Sequence, residues 1–333
     1  MDITSDTIDQ PAPLRRPRRA LKRLLIAIAG LAALVASGAL YEAIASLSDS
    51  AAPASGRLID VGGHRLYLDC EGTGSPAIVM DAGLGGSSLD WLLVQPELAR
   101  STTVCTYDRA GMGLSDPGPL PRSPGRNADE LHRLLEAGGV EGPYVLVGHS
   151  LAGKNLRMFA AAHPGEVAGL VLVDARSERI DMAMSAEQRE GMTSAIRTQT
   201  ALYAVARRLG LMRVLGATLF GSPNLPPQDA TRLILRESDP NALAATVDEG
   251  TARSDDDTEL ATATLGDIPL TVIAAGDSMR NNPGWPEAQA ALAALSSTGR
   301  MIVADHSSHA IQLDEPNVVI DAALAVLAEA RLR

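Results

Sequence analysis

The chain has few aromatic residues, only two cysteines and an acidic charge balance. Aromatic residues make up 3% of its 333 residues and hydrophobic residues of all kinds 46%, so the core must be mainly aliphatic. The net charge is −11, with 29 lysines and arginines against 40 aspartates and glutamates. Nucleic-acid binding needs a basic face for phosphate contacts. The charge balance therefore disfavours nucleic acid as a partner.

The two cysteines, Cys70 and Cys105, both fall inside predicted strands. A disulfide requires Cα atoms roughly 4 to 7 Å apart, and nothing in the sequence places the two residues at that distance. We therefore expect two buried free thiols.

Signals for a cofactor or a metal are also missing. The glycines at 83, 85 and 86 are not followed by the G-x-x-x-x-G-K-[ST] pattern of a phosphate-binding loop. The acidic run from Asp255 to Asp257 has no further ligands beside it and is interpreted as a solvated loop. We expect neither a cofactor nor a metal.

One long apolar run stands out near the N-terminus. Leu24 to Leu40 contains no charge, and the run extends to Leu47. As a helix its central part is about 26 Å long, close to the roughly 30 Å of a bilayer's hydrocarbon region. Six cations precede it: Arg15, Arg16, Arg18, Arg19, Lys22 and Arg23. The pattern predicts a basic cytoplasmic N-terminus at 1–23 and a transmembrane helix or signal anchor at 24–47.

The positive-inside rule then places everything after this helix outside the cytoplasm. A linker is predicted at 48–56, where serine, alanine, aspartate and a proline are frequent. The alternative is secretion, because Ala43-Ile44-Ala45 resembles a small-residue cleavage site. The expectation is a membrane-anchored protein with its folded domain, 57–333, on the outer side.

Within 57–333, short apolar runs alternate with helical stretches. Two segments flanking Gly62-Gly63 predict an antiparallel hairpin. The later runs are nearly continuous, as in parallel strands buried on both faces. The predicted strands are 57–61, 64–71, 77–80, 103–107, 144–147, 169–173, 270–274 and 301–304, with a helix around 127–135. From about 178 to 264 there is only amphipathic helical pattern, which predicts a helical cap inserted at the carboxyl edge of a mostly parallel sheet.

The segment Leu146 to Lys154 resembles a nucleophile elbow. An apolar strand stops at Ser150, and Gly148 and Ala152 are small enough to let strand and helix approach closely. The usual spelling is G-x-S-x-G, and here alanine stands in the last position. A serine exposed at such a turn is suited to nucleophilic catalysis.

Three other segments extend the resemblance, so that the chain resembles the α/β-hydrolase fold superfamily, capped esterase and lipase type, from about 57 to the C-terminus. The segment 81–86 stands where the family carries its oxyanion loop, usually H-G-x-x-G. The segment 107–115 resembles the family's D-x-R-G-x-G-x-S turn. The segment 306–316 resembles the late segment with the catalytic histidine. The resemblance implies an α/β fold with helices on both faces of the sheet.

The resemblance also implies roles. Ser150 is the expected nucleophile and His309 its base, with His306 as a competitor in the same segment. The backbone N–H groups of Leu84 and Leu151 are the expected oxyanion donors, which place no demand on their side chains.

The acid that orients His309 is open between two aspartates. Asp174 directly follows the strand after the elbow strand, and Asp277 follows the next predicted strand. The family usually spaces the later acid as G-x-x-D, and this sequence has Met279 in that position. We favour Asp174, with Asp277 as the alternative.

These residues predict a serine hydrolase that cleaves a carboxylic ester, or a thioester or amide, through an acyl-enzyme. The cap is rich in leucine, alanine and methionine, which favours a small-molecule substrate with an apolar part. A serine nucleophile disfavours the epoxide hydrolase and haloalkane dehalogenase branches, which use aspartate. The alternatives are an acyltransferase and a non-catalytic, membrane-tethered binding protein on the same fold.

Overall fold

A computed structural model of the chain describes residues 18–50, 55–252 and 255–333, with side chains in the first range from 21 to 47. The predicted basic N-terminus, 1–23, lies mostly outside the described residues, and the predicted linker, 48–56, lies partly outside them. The first helix, α1, runs over Arg18–Ser50. Its stretch Leu21–Leu47 is long and apolar enough to cross a membrane, and its most apolar window is not buried against the rest of the chain.

Eight strands form one sheet in the order β1-β2-β4-β3-β5-β6-β7-β8. Their bounds are β1 Arg57–Asp60, β2 Arg65–Glu71, β3 Ala77–Asp81, β4 Val104–Asp108, β5 Tyr144–His149, β6 Val167–Val173, β7 Leu270–Ala275 and β8 Arg300–Ala304. β2 pairs antiparallel with both β1 and β4, and all the other pairs are parallel. The predicted α/β fold with a mostly parallel sheet is confirmed.

The expectation of two free thiols is wrong. Cys70 on β2 and Cys105 on β4 are directly opposite each other in the antiparallel register and form a disulfide. Their Cα atoms are 4.0 Å apart. The sequence does not show that β2 pairs with β4, so it could not place the two sulfurs together.

Helices cover both faces of the sheet. Outside the β6–β7 connection they are α2 Gln95–Leu98, α3 Pro124–Gly138, α4 Ala152–Ala162, α11 Gly276–Asn281, α12 Trp285–Ala293, α13 Ile311–Asp314 and α14 Pro316–Ala330, with 3-10 turns at Ser88–Trp91 and Pro164–Glu166. Leu146 of β5 packs in the core layer that includes α3, α4 and α12, whereas Val145 and Val147 pack in the layer that includes α2 and α14. Both layers are mainly aliphatic, as the composition requires.

Between Val173 and Leu270 the described residues form six helices and no strand. These are α5 Glu178–Ala183, α6 Ala186–Arg208, α7 Leu211–Phe220, α8 Pro227–Glu237, α9 Pro240–Thr251 and α10 Asp256–Leu260, which we call the cap. The cap begins where β6 ends, at the carboxyl edge of the parallel strands. Open α/β sheets bind ligands at that edge.

Candidate active site

Ser150 lies on the sharp turn between β5 and α4. Its φ is +52°, which is uncommon for a residue with a side chain and typical of strained functional positions. Gly148 permits the turn, since a Cβ there would lie 2.7 Å from Leu156 Cδ1 and 3.1 Å from the backbone of Ala152. Ala152 itself is fully buried. Small residues therefore occupy the positions where strand and helix approach most closely.

His309 joins Ser150 to Asp174 by two short hydrogen bonds. Its Nε2 lies 2.8 Å from Ser150 Oγ, and its Nδ1 lies 2.6 Å from Asp174 Oδ2. His309 is half exposed, whereas the Asp174 side chain is completely buried. The three residues come from the ends of β5 and β6 and from the segment after β8. This geometry lets a neutral His309 accept the serine proton while Asp174 fixes its tautomer.

Asp174 is held by four donors. Its Oδ1 accepts from the Ala275 N–H at 3.0 Å and from Trp285 Nε1 at 2.7 Å, and its Oδ2 accepts from Ser278 Oγ at 2.5 Å and from His309. Burial alone would raise the pKa of Asp174, but these hydrogen bonds outweigh it and hold the pKa below its usual range. The carboxylate is therefore ionised at neutral pH.

The two competing residues lie elsewhere. Asp277 is half exposed and pairs with Arg280, with Oδ1 2.6 Å from Nη2. His306 is exposed, and its backbone N–H donates to Glu315 Oε1. Within the described residues, neither side chain hydrogen-bonds to Ser150, Asp174 or His309.

The residues that carry the predicted oxyanion donors line the same cavity as Ser150. Leu84 and Leu151 both line it, and Leu151 begins the helix that follows the elbow. In the described part of the chain, neither backbone N–H donates to another protein group. Two unpaired amides beside a serine are suited to hold the negative oxygen of a tetrahedral intermediate.

Arg109 fixes the loop that carries Leu84. Its guanidinium donates to Asp81, to the carbonyl oxygens of Ala82 and Gly83 at 2.6 and 2.7 Å, and to both oxygens of Glu249 at 2.8 and 2.9 Å. All three charged side chains are buried. Glu249 lies 140 positions away on α9, so the order of the sequence does not show that it pairs with Arg109.

His149, the residue before Ser150, contacts the segment that carries His309, and the sequence pattern does not show this contact because the two residues are 160 positions apart. Its Nε2 donates to the backbone carbonyl of His309 at 2.8 Å, and the two rings are 4.6 Å apart. Burial, together with nearby His309, lowers its pKa to about 3, so the ring is neutral. His149 therefore supports the backbone from which His309 projects.

A cavity of about 800 Å³ lies between Ser150 and the cap. Apolar side chains from α7 and α8 line one part of it: Phe220, Leu233 and Ile234. Two carboxyl groups also line it, one on the buried Asp90 and one on the partly buried Glu237. Burial raises the pKa of Asp90 to about 6 and raises that of Glu237 well above its usual range, in each case because the charged form loses hydration. The cavity thus combines an apolar wall with groups that are able to donate hydrogen bonds when protonated.

The acidic run in the cap is not the solvated loop that we expected. Asp257 pairs with Lys154 of α4, and Lys154 also contacts Asp181 at 2.9 Å. Asp256 accepts from the Gly125 N–H at 2.8 Å. The run therefore fastens α10 to the sheet domain, because its carboxylates face cations and amides that the sequence order does not bring near.

One histidine and glutamate cluster lies apart from Ser150. Ligand atoms of His132, His163 and Glu166 lie within 4.8 Å of one another. The two rings are stacked 3.9 Å apart and parallel within 2°. Nitrogen lone pairs lie in the ring planes, so two parallel rings do not aim at one ion. The arrangement fits a stacked, hydrogen-bonded pair better than a formed metal centre.

The relation to known proteins agrees with this geometry. The sequence profile of the alpha/beta hydrolase family matches residues 78–322. This chain belongs to the alpha/beta hydrolase family. The match spans β3 to α14 and so includes the elbow, the cap and the segment with His309.

Individual relatives of this alpha/beta hydrolase are distant. An uncharacterised protein of Schizosaccharomyces pombe, C23C11.06c, is 30% identical over 226 residues, which are 67% of this chain and 40% of the relative. A second curated relative is covered over only 18% of its length.

Two solved structures share the fold of this alpha/beta hydrolase. The epoxide hydrolase CorEH is 21% identical, with a TM-score of 0.65, and the match covers 84% of this chain and 99% of that one. An esterase from Thermogutta terrifontis is 22% identical, with a TM-score of 0.61, and the match covers 83% of this chain and 99% of the esterase. Members with different reactions thus share this architecture, and the reaction must be argued from the site.

Proposed function

We propose that the protein is a serine hydrolase that cleaves a carboxylic ester through an acyl-enzyme, with Ser150 as nucleophile, His309 as base and Asp174 as the orienting acid. The observation that carries the proposal is the unbroken hydrogen-bonded series from Ser150 through His309 to Asp174, at a serine held with positive φ. A serine hydroxyl needs such a base to become nucleophilic at neutral pH.

In the first half of the reaction, Ser150 Oγ attacks the ester carbonyl carbon and its proton passes to His309 Nε2. The carbonyl oxygen becomes negative and is held by the N–H groups of Leu84 and Leu151. When the C–O bond breaks, the departing alcohol takes the proton from His309 and the acyl group stays on Ser150. In the second half, water attacks the acyl carbon while His309 accepts its proton. The bond between the acyl carbon and Ser150 Oγ then breaks, Ser150 Oγ takes the proton back from His309, and the carboxylic acid is released.

Acyl transfer is the nearest alternative, because an alcohol then replaces water in the second half. The half-exposed His309 and the cavity of about 800 Å³ leave room for either acceptor. The epoxide hydrolase reaction is disfavoured, since the nucleophile position holds a serine here.

A binding protein without catalysis is the second alternative. Departures from the family pattern suggest this alternative, in particular Ala152 at the last elbow position and Asp81-Ala82 in the oxyanion loop. Against it, Ala152 fits the elbow and Asp81 serves to hold Arg109. Neither departure removes a group that the reaction needs.

The test is steady-state hydrolysis of p-nitrophenyl esters by the full chain in detergent, with Ser150→Ala as the control. We expect a pre-steady-state burst of nitrophenol equal to the enzyme concentration, which is lost in the variant. Added methanol then separates the two acceptors, because an acyltransferase yields mainly the methyl ester. A folded protein with no burst and no turnover on any chain length would contradict the proposal and favour the binding protein.

We further infer that α1 anchors the hydrolase to a membrane, with the enzyme domain outside the cytoplasm. The apolar stretch Leu21–Leu47 and the cations before it support this topology. The disulfide between Cys70 and Cys105 also supports it, because disulfides persist in oxidising compartments. A C-terminal alkaline phosphatase fusion, active only when exported, tests the orientation, and membrane extraction separates an anchored chain from a cleaved one.

A further inference from the structure

The cap exposes an apolar surface beside the cavity. On α7 the side chains of Leu211, Val214, Leu215 and Leu219 are 46%, 64%, 45% and 65% exposed, and their spacing of three and four places them on one side. We call this set the apolar face of α7. The opposite side of the helix is buried, with Gly216 packed against Ile234. A concentrated set of exposed apolar side chains marks an interaction surface.

The C-terminal half of α1 packs beside the start of α7. Gly38 touches the Leu209 carbonyl, where a side chain on residue 38 would collide. Glu42, only 7% exposed, pairs with Arg207 and with Arg213, whose Nε lies 3.0 Å from Oε2. The membrane helix therefore contacts the turn between α6 and α7.

The length of α1 sets the height of that contact. The uncharged residues from Leu24 to Leu40 form a helix about 26 Å long, close to the roughly 30 Å thickness of a bilayer's hydrocarbon region. Gly38 and Glu42 then lie at the membrane interface, and the first turns of α7 lie at the same level. This step rests on the anchored topology proposed above.

The cavity reaches the same surface. Phe220 ends α7, is 51% exposed and also lines the cavity that contains Ser150. Its ring packs 5.3 Å from that of Tyr203 on α6. An apolar molecule at the apolar face of α7 is thus next to the wall of the active-site cavity.

We propose that the apolar face of α7 lies in the interface of the membrane that carries α1, and that the enzyme takes esters with a long apolar chain from that membrane. The occupant of the face is therefore lipid. Continuity with α1 selects lipid over a second copy of the chain, because the helix that crosses the membrane is packed on the same turn.

Depth measurements test the position without depending on activity. The full chain in phospholipid nanodiscs receives a single nitroxide label at Val214→Cys or Leu219→Cys, with Leu332→Cys as the control. Leu332 is 87% exposed and adjoins Arg331, which bonds to Ser75 and Ser101 at the opposite edge of the sheet. We expect the α7 labels to collide with oxygen more than with a water-soluble nickel chelate, and the Leu332 label to show the reverse. Equal nickel accessibility at all three sites, or label-to-label broadening that reveals a dimer, would overturn the proposal.

Kinetics test the substrate source. The double variant Val214→Gln/Leu219→Gln removes exposed methyl groups and touches neither Ser150 nor the cavity. We expect its rate on a long-chain ester embedded in vesicles to fall by about tenfold or more, while its rate on a water-soluble acetate ester stays within about twofold. Equal effects on both esters would overturn the proposal. If the wild type hydrolyses neither ester, the proposed function fails, and the depth measurement still decides where α7 lies.

Discussion

Replacing Asp174 with asparagine tests the assignment of the orienting acid. The two oxygens of Asp174 have different partners. Oδ1 accepts from the Ala275 N–H and from Trp285 Nε1, and both of these groups can only donate. The amide oxygen of asparagine must therefore take the Oδ1 position, which leaves the NH₂ group facing His309 Nδ1.

An NH₂ donor at that position reverses the tautomer of His309. Nδ1 then accepts, the ring proton moves to Nε2, and Nε2 points that proton at Ser150 Oγ instead of accepting one. We expect kcat to fall by about 10⁴, or about 5 kcal/mol in activation free energy, as in other triads with the wrong tautomer. The fold should survive, because asparagine fills the same volume.

Two matched variants sharpen the assay. Asp277→Asn changes a half-exposed residue that contacts Arg280 and not His309, so we expect ester hydrolysis within about twofold of wild type. Ser278→Ala removes one donor from Asp174 but keeps the carboxylate, and should cost less than about tenfold. Circular dichroism checks folding. The assignment of Asp174 would be refuted if kcat of Asp174→Asn lay within tenfold of wild type, or if kcat of Asp277→Asn fell by about 10³.

Three further predictions concern stability. Arg109→Ala leaves Asp81 and Glu249 buried without a cation, so chemical denaturation should show a free energy of unfolding lower by about 3–5 kcal/mol. A decrease under 1 kcal/mol would contradict the role of Arg109 in pairing these two carboxylates. His149 has a folded pKa of about 3 against 6.5, so the unfolded chain binds the proton first and stability falls as pH drops between these values. From pH 7.5 to 5.5 this group should cost about 1.4 kcal/mol, a loss that His149→Gln removes; equal pH slopes in the two proteins would count against it. The double variant Cys70→Ser/Cys105→Ser opens a loop with a sequence separation of 35 and should lower the free energy of unfolding by about 4 kcal/mol, whereas an unchanged value would argue against a disulfide in the folded protein.

The fold was predictable because its signals are local. Each predicted strand overlaps an observed one, since parallel strands buried on both faces are nearly continuous apolar runs. The elbow was visible for the same reason, as Gly148, Ser150 and Ala152 are close in sequence. The structure brings Ser150, His309 and Asp174 together as expected, and their roles remain predictions.

The parts that sequence reasoning missed depend on distant pairing. The disulfide needs the register of β2 against β4, and the Arg109–Glu249 pair joins residues 140 positions apart. The contact between His149 and the His309 backbone likewise joins residues 160 positions apart. Glu42 pairs with Arg207 and Arg213 of the cap, and the sequence does not show this contact because Arg213 is 171 positions away.

The most direct test of the central claim is fluorophosphonate labelling of the full chain, followed by peptide mapping. A fluorophosphonate reacts only with an activated serine. We predict a single adduct on Ser150, absent in Ser150→Ala and strongly slowed in Asp174→Asn. Folded wild-type protein that carries no adduct, or carries it on another serine, would contradict the assignment of Ser150 as the nucleophile.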